Sequence, residues 1–331
     1  MDWSLIFRWG FLIALLTAAI RLAVPVVLAV LGEIITERSG VLNLGLEGVM
    51  IMGGVVGFLT AYHLENSAIG ASMGELTSWV GLAAGMAAGM GMGLILSVLS
   101  VTLHADQVIS GVTLVVFGIG LSAYLYRQTF SSLTARVAGL ETMPIPVLDQ
   151  IPVIGPVLFQ HDPSVYLTAA LVLVVWWFLF RTTWGLKIRA VGENPAAAET
   201  SGISVQGVRY AATLIGTALA GLGGAVLTVV QLNMFRDGIT AGRGWIAVAL
   251  VIFARWRPGL ALVGALLFGL ADGLQYRIQA LSATQRGAGT IPYEFLLMLP
   301  YILTIVALLY RTGKRSEEPA ALGRPYVKGA D

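Results

Sequence analysis

Residues 79–103 read WVGLAAGMAAGMGMGLILSVLSVTL, a stretch of 25 residues without a charged side chain. A helix needs about 20 mostly apolar residues to cross the hydrocarbon core of a bilayer. Gly81, Gly85, Gly89 and Gly93 recur at every fourth position and therefore lie near one face of such a helix. A second helix can approach this face closely because glycine has no side chain. The stretch predicts a membrane-spanning helix that packs tightly on a neighbour; lining a solute path is the alternative role for the glycine face.

The composition of the whole chain supports a membrane protein. Of its 331 residues, 57% are hydrophobic and 11% are charged, whereas an average soluble domain has about 25% charged residues. So few charges cannot cover a water-exposed surface, which excludes the soluble classes and makes membrane lipid a partner. The absence of cysteine excludes disulfides and thiolate chemistry. The three scattered histidines predict no metal site, and the dispersed basic residues predict no nucleic acid binding.

Further apolar stretches predict a bundle of helices. The candidate spans are 10–35, 46–63, 79–103, 106–126, 164–181, 209–232, 244–256, 258–280 and 292–311. We therefore predict an all-α polytopic membrane helix bundle with about nine transmembrane helices (eight to ten). It occupies residues 1–313, and residues 314–331 form a polar cytoplasmic tail that we expect to be disordered. The stretch 244–256 predicts a half-helix, and Arg21 and Pro25 predict a bent or overlong first helix.

The basic residues predict the orientation of the bundle. With nine spans, the two termini lie on opposite sides of the membrane, with twelve lysines and arginines on one side and seven on the other. Cytoplasmic loops carry the excess of positive charge. We therefore predict an external N-terminus and a cytoplasmic C-terminus.

Two long loops connect the predicted spans. The loop 128–163 contains five prolines and few charges, which predicts an ordered external connection with turns. The loop 182–209 lies on the basic side. Within it, Asn194 suits a helix cap, Pro195 suits the first helical position and Gly202 suits the end. This pattern predicts a short helix of about seven residues outside the membrane.

Polar residues interrupt the apolar sequence between the first two spans. Residues 37–48 read ERSGVLNLGLEG, in which Asn43 and Glu47 stand among leucines and glycines. One interpretation is a broken or re-entrant segment of the kind from which transport sites are built. The other is a tight cytoplasmic turn with Glu37 and Arg38 in water.

Other polar groups are candidates for a solute path. Asp272 lies within a predicted span, where a carboxylate usually faces an interior or an aqueous path; hydration near the surface or pairing with Arg277 is the alternative. Gln107 and Asn233 lie at span edges, where each serves equally well as an interfacial anchor. Asp272 and Glu47 are the only acidic groups that we place deep in the spans. This scarcity disfavours a proton relay but leaves sodium coupling open.

Sequence signatures of enzymes are missing. The chain has no G-x-x-x-x-G-K-[ST] phosphate loop and no G-x-S-x-G or H-E-x-x-H motif. We therefore predict no catalytic residue, and any ATP hydrolysis must occur on another subunit. An ion-coupled secondary transporter of a polar solute is the rival function, and a channel is a weaker one.

Four stretches carry a resemblance to a known family. The loop GLKIRAVGENPAAAETSGI (185–203) resembles the loop with which permeases of ATP-binding cassette (ABC) importers contact their ATPase. The stretches 37–48, 105–111 and 240–253 are similar to permeases of the nucleoside and simple-sugar uptake group, which are related to ribose and branched-chain amino acid permeases. Together with the span pattern, the resemblance covers roughly residues 20–310.

The resemblance implies an assembly and a mechanism. It implies a membrane permease subunit that moves a small polar solute by alternating access, with nucleosides as the first expectation and simple sugars as the second. Its partners would be an ATP-binding subunit, which holds ATP and Mg²⁺, a second permease in a heterodimer or homodimer, and an extracytoplasmic solute-binding protein. The chain itself would bind no cofactor and lie in a prokaryotic plasma membrane. The residues expected to couple to the ATPase are Gly192, Glu193, Asn194, Pro195, Ala197, Ala198 and Gly202, and the expected solute path contains Asn43, Glu47, Gln107, Asn233 and Asp272.

Overall fold

A computed structural model describes residues 9–130, 135–284 and 317–327, together with the isolated helical positions 298, 302 and 305. Its helices are α1 Trp9–Arg38, α2 Leu46–Glu65, α3 Leu76–Ser97, α4 Gln107–Thr129, α5 Ile154–Leu158, α6 Pro163–Arg181, α7 Thr183–Glu193, α8 Pro195–Thr200, α9 Val205–Ala225, α10 Arg243–Ala254 and α11 Pro258–Thr284. Short π-helical segments, Val98–Thr102 and Val226–Gln231, extend α3 and α9. The described chain is therefore a helix bundle, as predicted.

Seven of these helices are long and apolar enough to cross a membrane. They correspond to the predicted spans beginning at 10, 46, 79, 106, 164, 209 and 258. The predicted half-helix is confirmed, because α10 has only 12 residues. The first span is longer than needed rather than broken: α1 runs for 30 residues with Pro25 inside. The predicted span 292–311 lies outside the described residues apart from three single positions.

Helix α9 forms the centre of the bundle. In its most apolar window, 89% of the residues are buried within the protein. It packs on α1, α2 and α3 through glycines, and the close approach leaves no room for a side chain. A Cβ at Gly224 would lie 1.8 Å from the carbonyl oxygen of Met50, and one at Gly89 would lie 2.2 Å from that of Thr217. All four glycines of the predicted stripe on α3 are buried, which confirms its role in packing.

The two ends of the bundle carry different structures. At one end, α7 and α8 lie near the end of α1 and the C-terminal residues. At the other, the described part of the 128–163 loop forms α5 and a two-stranded pair, β1 (Met143–Pro144) with antiparallel β2 (Gln160–His161). Here Glu65 accepts hydrogen bonds from the Ala138 amide at 3.1 Å. The predicted order in this loop is confirmed for residues 135–162. We call these two ends the α8 end and the β end.

Candidate coupling face and polar centre

Helix α8 is held at both ends by its own sequence. The Asn194 side chain accepts a hydrogen bond from the Ala197 amide at 3.0 Å, and Pro195 occupies the first helical position. After the helix, Gly202 adopts a φ of +81°. The amides of Gly202 and Ile203 donate to the carbonyls of Glu199 (2.9 Å) and Ala198 (3.0 Å), which is the Schellman arrangement. The predicted short helix is thus present, one residue shorter than expected.

The residues expected to couple to an ATPase fall into two groups. Glu193, Asn194 and Ala197 are exposed, as is Gly202, and Pro195 is half-buried. Gly192 and Ala198 are buried instead. A Cβ at Gly192 would lie 2.1 Å from the carbonyl oxygen of Arg38, so α7 abuts the end of α1 there. Gly192 and Ala198 therefore hold α8 on the bundle, and the exposed residues form the face that it presents.

Helix α7, which precedes α8, is missing from the sequence-based prediction. Thr182 caps it by accepting a hydrogen bond from the Gly185 amide at 3.1 Å. Its buried residues, Gly185, Ile188, Val191 and Gly192, recur at helical spacing. This periodicity was the available signal, and two glycines and two basic residues masked it.

The prediction of a disordered tail is wrong for residues 317–327, which we call the C-terminal segment. The Ala321 amide donates to the Gly192 carbonyl at 2.9 Å, and the Gly323 amide donates to the Gly40 carbonyl at 3.2 Å. The Tyr326 hydroxyl donates to the Glu199 carboxylate on α8 at 2.6 Å. These bonds tie the segment to α7, to α8 and to the residues that follow α1.

Two arginines and a histidine add to this docking. Arg209, buried on α9, donates to the Arg324 carbonyl at 3.1 Å, and a His104 ring nitrogen lies 3.0 Å from the Tyr326 carbonyl oxygen. Arg257 donates two hydrogen bonds to Glu317 at 2.9 and 3.0 Å. The C-terminal segment is ordered because backbone and charged partners from distant parts of the chain satisfy its polar groups, and its own composition gives no sign of this.

The segment between α1 and α2 turns back into the protein. Residues 39–43 are buried apart from Leu42, which is half-buried. Asn43 donates from its amide and its side chain to the Glu33 carboxylate at 3.2 and 3.1 Å, and its own side-chain oxygen accepts from Gly45 at 3.0 Å. Gln107 accepts from the Leu42 amide at 2.7 Å. The re-entrant interpretation is therefore supported, and the alternative with Glu37 and Arg38 in water is wrong because both are buried.

Glu47 caps the half-helix α10. Its carboxylate accepts from the amides of Gly242 (3.0 Å) and Gly244 (2.7 Å) and from the Thr240 hydroxyl. The first amides of a helix have no partner within the helix, and the helix dipole favours a negative charge there. Glu47 thus satisfies donors that are otherwise unpaired at the start of α10.

Asp272 lies on α11 beside the same helix start. Its carboxylate pairs with Arg243 at 2.9 Å, and both side chains are more than 90% buried. The expected alternative partner, Arg277, is not its partner. Glu47 and Asp272 therefore belong to one polar centre around the start of α10.

The other solute-path candidates lie elsewhere. Asn43 and Gln107 hold the re-entrant segment, and Asn233 lies at the β end, where its side chain donates to the carbonyls of Val229 (2.9 Å) and Ala138 (3.3 Å). Each of the five candidates has a protein hydrogen-bond partner, but the buried Nε2 of Gln107 has none among the described residues. Whether any of them contacts a solute remains a prediction.

Two buried acids were missed by the sequence analysis, which placed only Asp272 and Glu47 deep in the spans. Glu33 and Glu37 are both at most 2% exposed. Glu37 accepts a hydrogen bond from the Trp256 indole at 2.5 Å, and Glu33 binds Asn43. Their spacing of four residues within the apolar end of α1 was the available signal, because it puts both carboxylates on one helix face.

A cavity of about 750 Å³ opens at the β end between α1, α11 and the residues that follow α9. Four arginines line it: Arg21, Arg236, Arg243 and Arg277. The five solute-path candidates are not among its described lining residues. Within the described residues, no group of three or more His, Cys, Asp or Glu side chains is placed to hold a metal ion.

Comparisons with known proteins agree with this architecture. A family model described as branched-chain amino acid transport system / permease component matches residues 15–308. A putative glucose ABC transporter permease protein of Haloferax volcanii is 39% identical over 97% of this chain and 100% of its own length. A guanosine ABC transporter permease protein of Bacillus subtilis is 36% identical over 94% and 96%. A nucleoside ABC transporter permease protein of Lactococcus lactis is 32% identical over 92% and 93%. The chain therefore belongs to the branched-chain amino acid transport system / permease component family and is an ABC transporter permease.

Proposed function

We propose that the chain is one of two permease subunits of an ABC importer that carries nucleosides across a prokaryotic plasma membrane. Two of the three relatives described above are named for nucleosides or guanosine and one for glucose, so simple sugars are the second substrate class. Bacillus subtilis contributes a further relative, 27% identical and also named a guanosine ABC transporter permease protein. Two related permeases in one organism support a heterodimer.

The observation that carries the proposal is the form of α8. It is a short helix, capped at both ends, with an exposed face formed by Glu193, Asn194 and Ala197. Its position on the side with more basic residues favours the cytoplasm. We propose that α8 docks on a separate ATP-binding subunit, which binds ATP and Mg²⁺ and drives alternating access.

The remaining parts of the assembly follow from this orientation. The N-terminus is then outside and the C-terminus is cytoplasmic. Residues 135–163 and 233–239 at the β end then face an extracytoplasmic solute-binding protein, whereas residues 240–243 belong to the polar centre. The polar centre at Glu47 and Asp272 lies between the two faces, where a solute path must pass or be closed.

The absence of cysteine allows a direct test of this arrangement. A single cysteine at Ala197 is labelled from either side of the membrane and crosslinked in cells that also produce the ATP-binding subunit. Labelling from the cytoplasm with an ATPase adduct supports the proposal, and labelling from outside contradicts the orientation. Cytoplasmic labelling without an adduct contradicts the docking of α8 on the ATP-binding subunit. A cysteine at Ala138, exposed at the β end, is the matched control and should be labelled from outside without an adduct.

Substrate class needs a second experiment. The assembled importer is reconstituted in proteoliposomes, and ATP-dependent uptake of labelled guanosine and labelled glucose is measured. Uptake of guanosine that unlabelled nucleosides suppress and glucose does not suppress supports the nucleoside proposal. The reverse pattern assigns the sugar class.

A further inference from the structure

The cavity at the β end is lined by cations. Arg21 comes from α1, Arg277 from α11, Arg243 from the start of α10 and Arg236 from the loop before it. The described lining residues include Gln231 and Tyr276 but no acidic residue. Four guanidinium groups from four parts of the chain thus converge on one space of about 750 Å³.

Two of the four charges have a carboxylate partner. Arg243 pairs with Asp272 at 2.9 Å, and the Arg21 Nε lies 3.6 Å from an Asp162 oxygen. Among the described residues, Arg236 and Arg277 have no carboxylate within ion-pair distance. The Nε of Arg277 is buried without a hydrogen-bond acceptor in this part of the chain, and its guanidinium lies 5.6 Å from the centre of the Phe11 ring. The described cavity lining therefore carries an excess of two positive charges.

Of the two cations without a carboxylate partner among the described residues, Arg277 lies in a membrane span, whereas Arg236 is exposed in the loop before α10. Arg277 lies within the candidate span Pro258–Gln279, and Arg21 lies within Trp9–Arg38. At a rise of about 1.5 Å per residue, Arg21 is about 25 Å along α1 from the α8 end. This depth is near the far edge of a hydrocarbon core about 30 Å thick. An arginine near the end of a span either extends to the interface, is paired, or marks a binding site or pathway. The cavity that Arg21 and Arg277 line favours the last role.

We propose that this cavity binds an oxyanion, a phosphate or carboxylate group, between Arg236 and Arg277. A guanidinium group forms two parallel, charge-assisted hydrogen bonds with such a group. The oxyanion would neutralise the excess charge and supply the acceptor that the Arg277 Nε lacks among the described residues. Its source is either a soluble anion at the outer mouth of the bundle or the headgroup of an anionic lipid. A nucleoside carries no such group, so the site is separate from the proposed substrate and does not depend on it.

Thermal unfolding of the purified full-length chain tests the proposal. The chain is placed in nanodiscs of phosphatidylcholine, alone or with phosphatidylglycerol, and the unfolding midpoint is measured with increasing inorganic phosphate. Sodium chloride at matched ionic strength controls for screening. A ligand that binds only the folded state raises the midpoint in proportion to its occupancy.

Arg236→Gln and Arg277→Gln each remove one charge while keeping most of the side-chain length. Each should weaken anion binding about tenfold, the loss of one charge-assisted contact. Arg277→Lys keeps the charge without the planar fork and should lie between wild type and Arg277→Gln. Arg136→Gln, an exposed arginine of the β-end loop outside the described cavity lining, is the matched control and should bind as wild type does.

The outcomes separate the two sources. Stabilisation by phosphate in phosphatidylcholine discs, lost in the two glutamine variants, supports a soluble anion. Stabilisation by phosphatidylglycerol without any effect of phosphate, lost in the same variants, supports a lipid headgroup. If neither ligand stabilises the wild type beyond sodium chloride, or if the variants respond as the wild type does, the proposal is wrong. The midpoint of each variant without ligand shows whether it is folded.

Discussion

Replacing Tyr326 with phenylalanine should loosen the C-terminal segment from α8. The Tyr326 hydroxyl donates to the Glu199 carboxylate at 2.6 Å, and both side chains are half-buried. A hydrogen bond to a charged group contributes about 1.5–3 kcal/mol when it is protected from water. Partial exposure reduces this value, so we expect a loss of about 1 kcal/mol. Such a loss raises the undocked fraction of the segment about fivefold.

Amide hydrogen exchange measures this fraction directly. The amides of Ala321 and Gly323 donate to the carbonyls of Gly192 and Gly40 only while the segment is docked. When reclosing is faster than exchange, the exchange rate is proportional to the open population. Peptides that cover residues 317–327 should therefore exchange about fivefold faster in Tyr326→Phe than in the wild type. Peptides from α8 should become less protected, since Glu199 loses the hydrogen bond from Tyr326.

Two variants make this prediction specific. Glu199→Gln keeps an acceptor but removes the charge, so its exchange rate should lie between those of wild type and Tyr326→Phe. Tyr124→Phe removes the hydroxyl of a tyrosine that is 60% exposed on α4 and should change nothing. Unchanged exchange of residues 317–327 in Tyr326→Phe would refute the reasoning, because the bond would then contribute nothing to docking.

Three further predictions concern the packing and the polar centre, and the thermal unfolding midpoint of the detergent-purified chain tests each. Asp272→Asn leaves the Arg243 charge buried without a carboxylate partner and should lower the free energy of unfolding by about 3–5 kcal/mol. The double variant Arg243→Met/Asp272→Leu should recover most of this loss. A double variant as unstable as the single one would contradict the explanation. Gly224→Ala forces a Cβ to within 1.8 Å of the Met50 carbonyl oxygen and should lower the free energy of unfolding by at least about 1–3 kcal/mol. Gly91→Ala, where a Cβ would have no atom within 4 Å, should be neutral or slightly stabilising. Equal effects of the two substitutions would argue against close packing at α9. Glu47→Gln places an NH₂ group or a weaker acceptor against the amides of Gly242 and Gly244 and should lower the free energy of unfolding by about 1–3 kcal/mol. An unfolding midpoint equal to that of wild type would show that the negative charge is not needed there.

Local signals in the sequence predicted the parts of the fold that depend on neighbouring residues. The cap by Asn194 and the first-turn Pro195 mark the start of α8, and the left-handed Gly202 marks its end within the same short stretch, so their pattern alone predicted the helix. The glycine stripe of α3 was equally readable, because its period of four residues matches one helix face. The length of the apolar stretches also predicted the seven spans that the described residues contain, because such a stretch is a local property of the sequence.

Long-range pairing could not be predicted in this way. Glu47 meets Gly244 across 197 positions of the chain, and Glu37 meets Trp256 across 219. The order of the C-terminal segment likewise depends on carbonyl groups at Gly40 and Gly192. A backbone carbonyl is present in every residue, so no residue type in the sequence marks it as a partner.

Polarity alone also could not separate structural roles from a solute path. Asn43 and Gln107 were singled out because a polar group in apolar sequence is costly unless it has a partner. The structure supplies protein partners for both: the Glu33 carboxylate and the Leu42 amide. The cost thus indicated correctly that Asn43 and the side-chain oxygen of Gln107 have partners. It contained no information on whether such a partner is protein or solute.

The buried segment 39–47 connects the two regions that the proposed mechanism needs. At the α8 end, a Cβ at Gly192 would lie 2.1 Å from the Arg38 carbonyl oxygen and 3.3 Å from the Gly40 nitrogen, and the Gly40 carbonyl binds the C-terminal segment through Gly323. Seven residues later, Glu47 holds the start of α10. Because the backbones already touch, we expect a movement of α7 and α8 either to displace Gly40 or to break this contact. Close-packed interiors transmit strain, so we expect such a displacement to reach Glu47 and the helix start that Arg243 and Asp272 share.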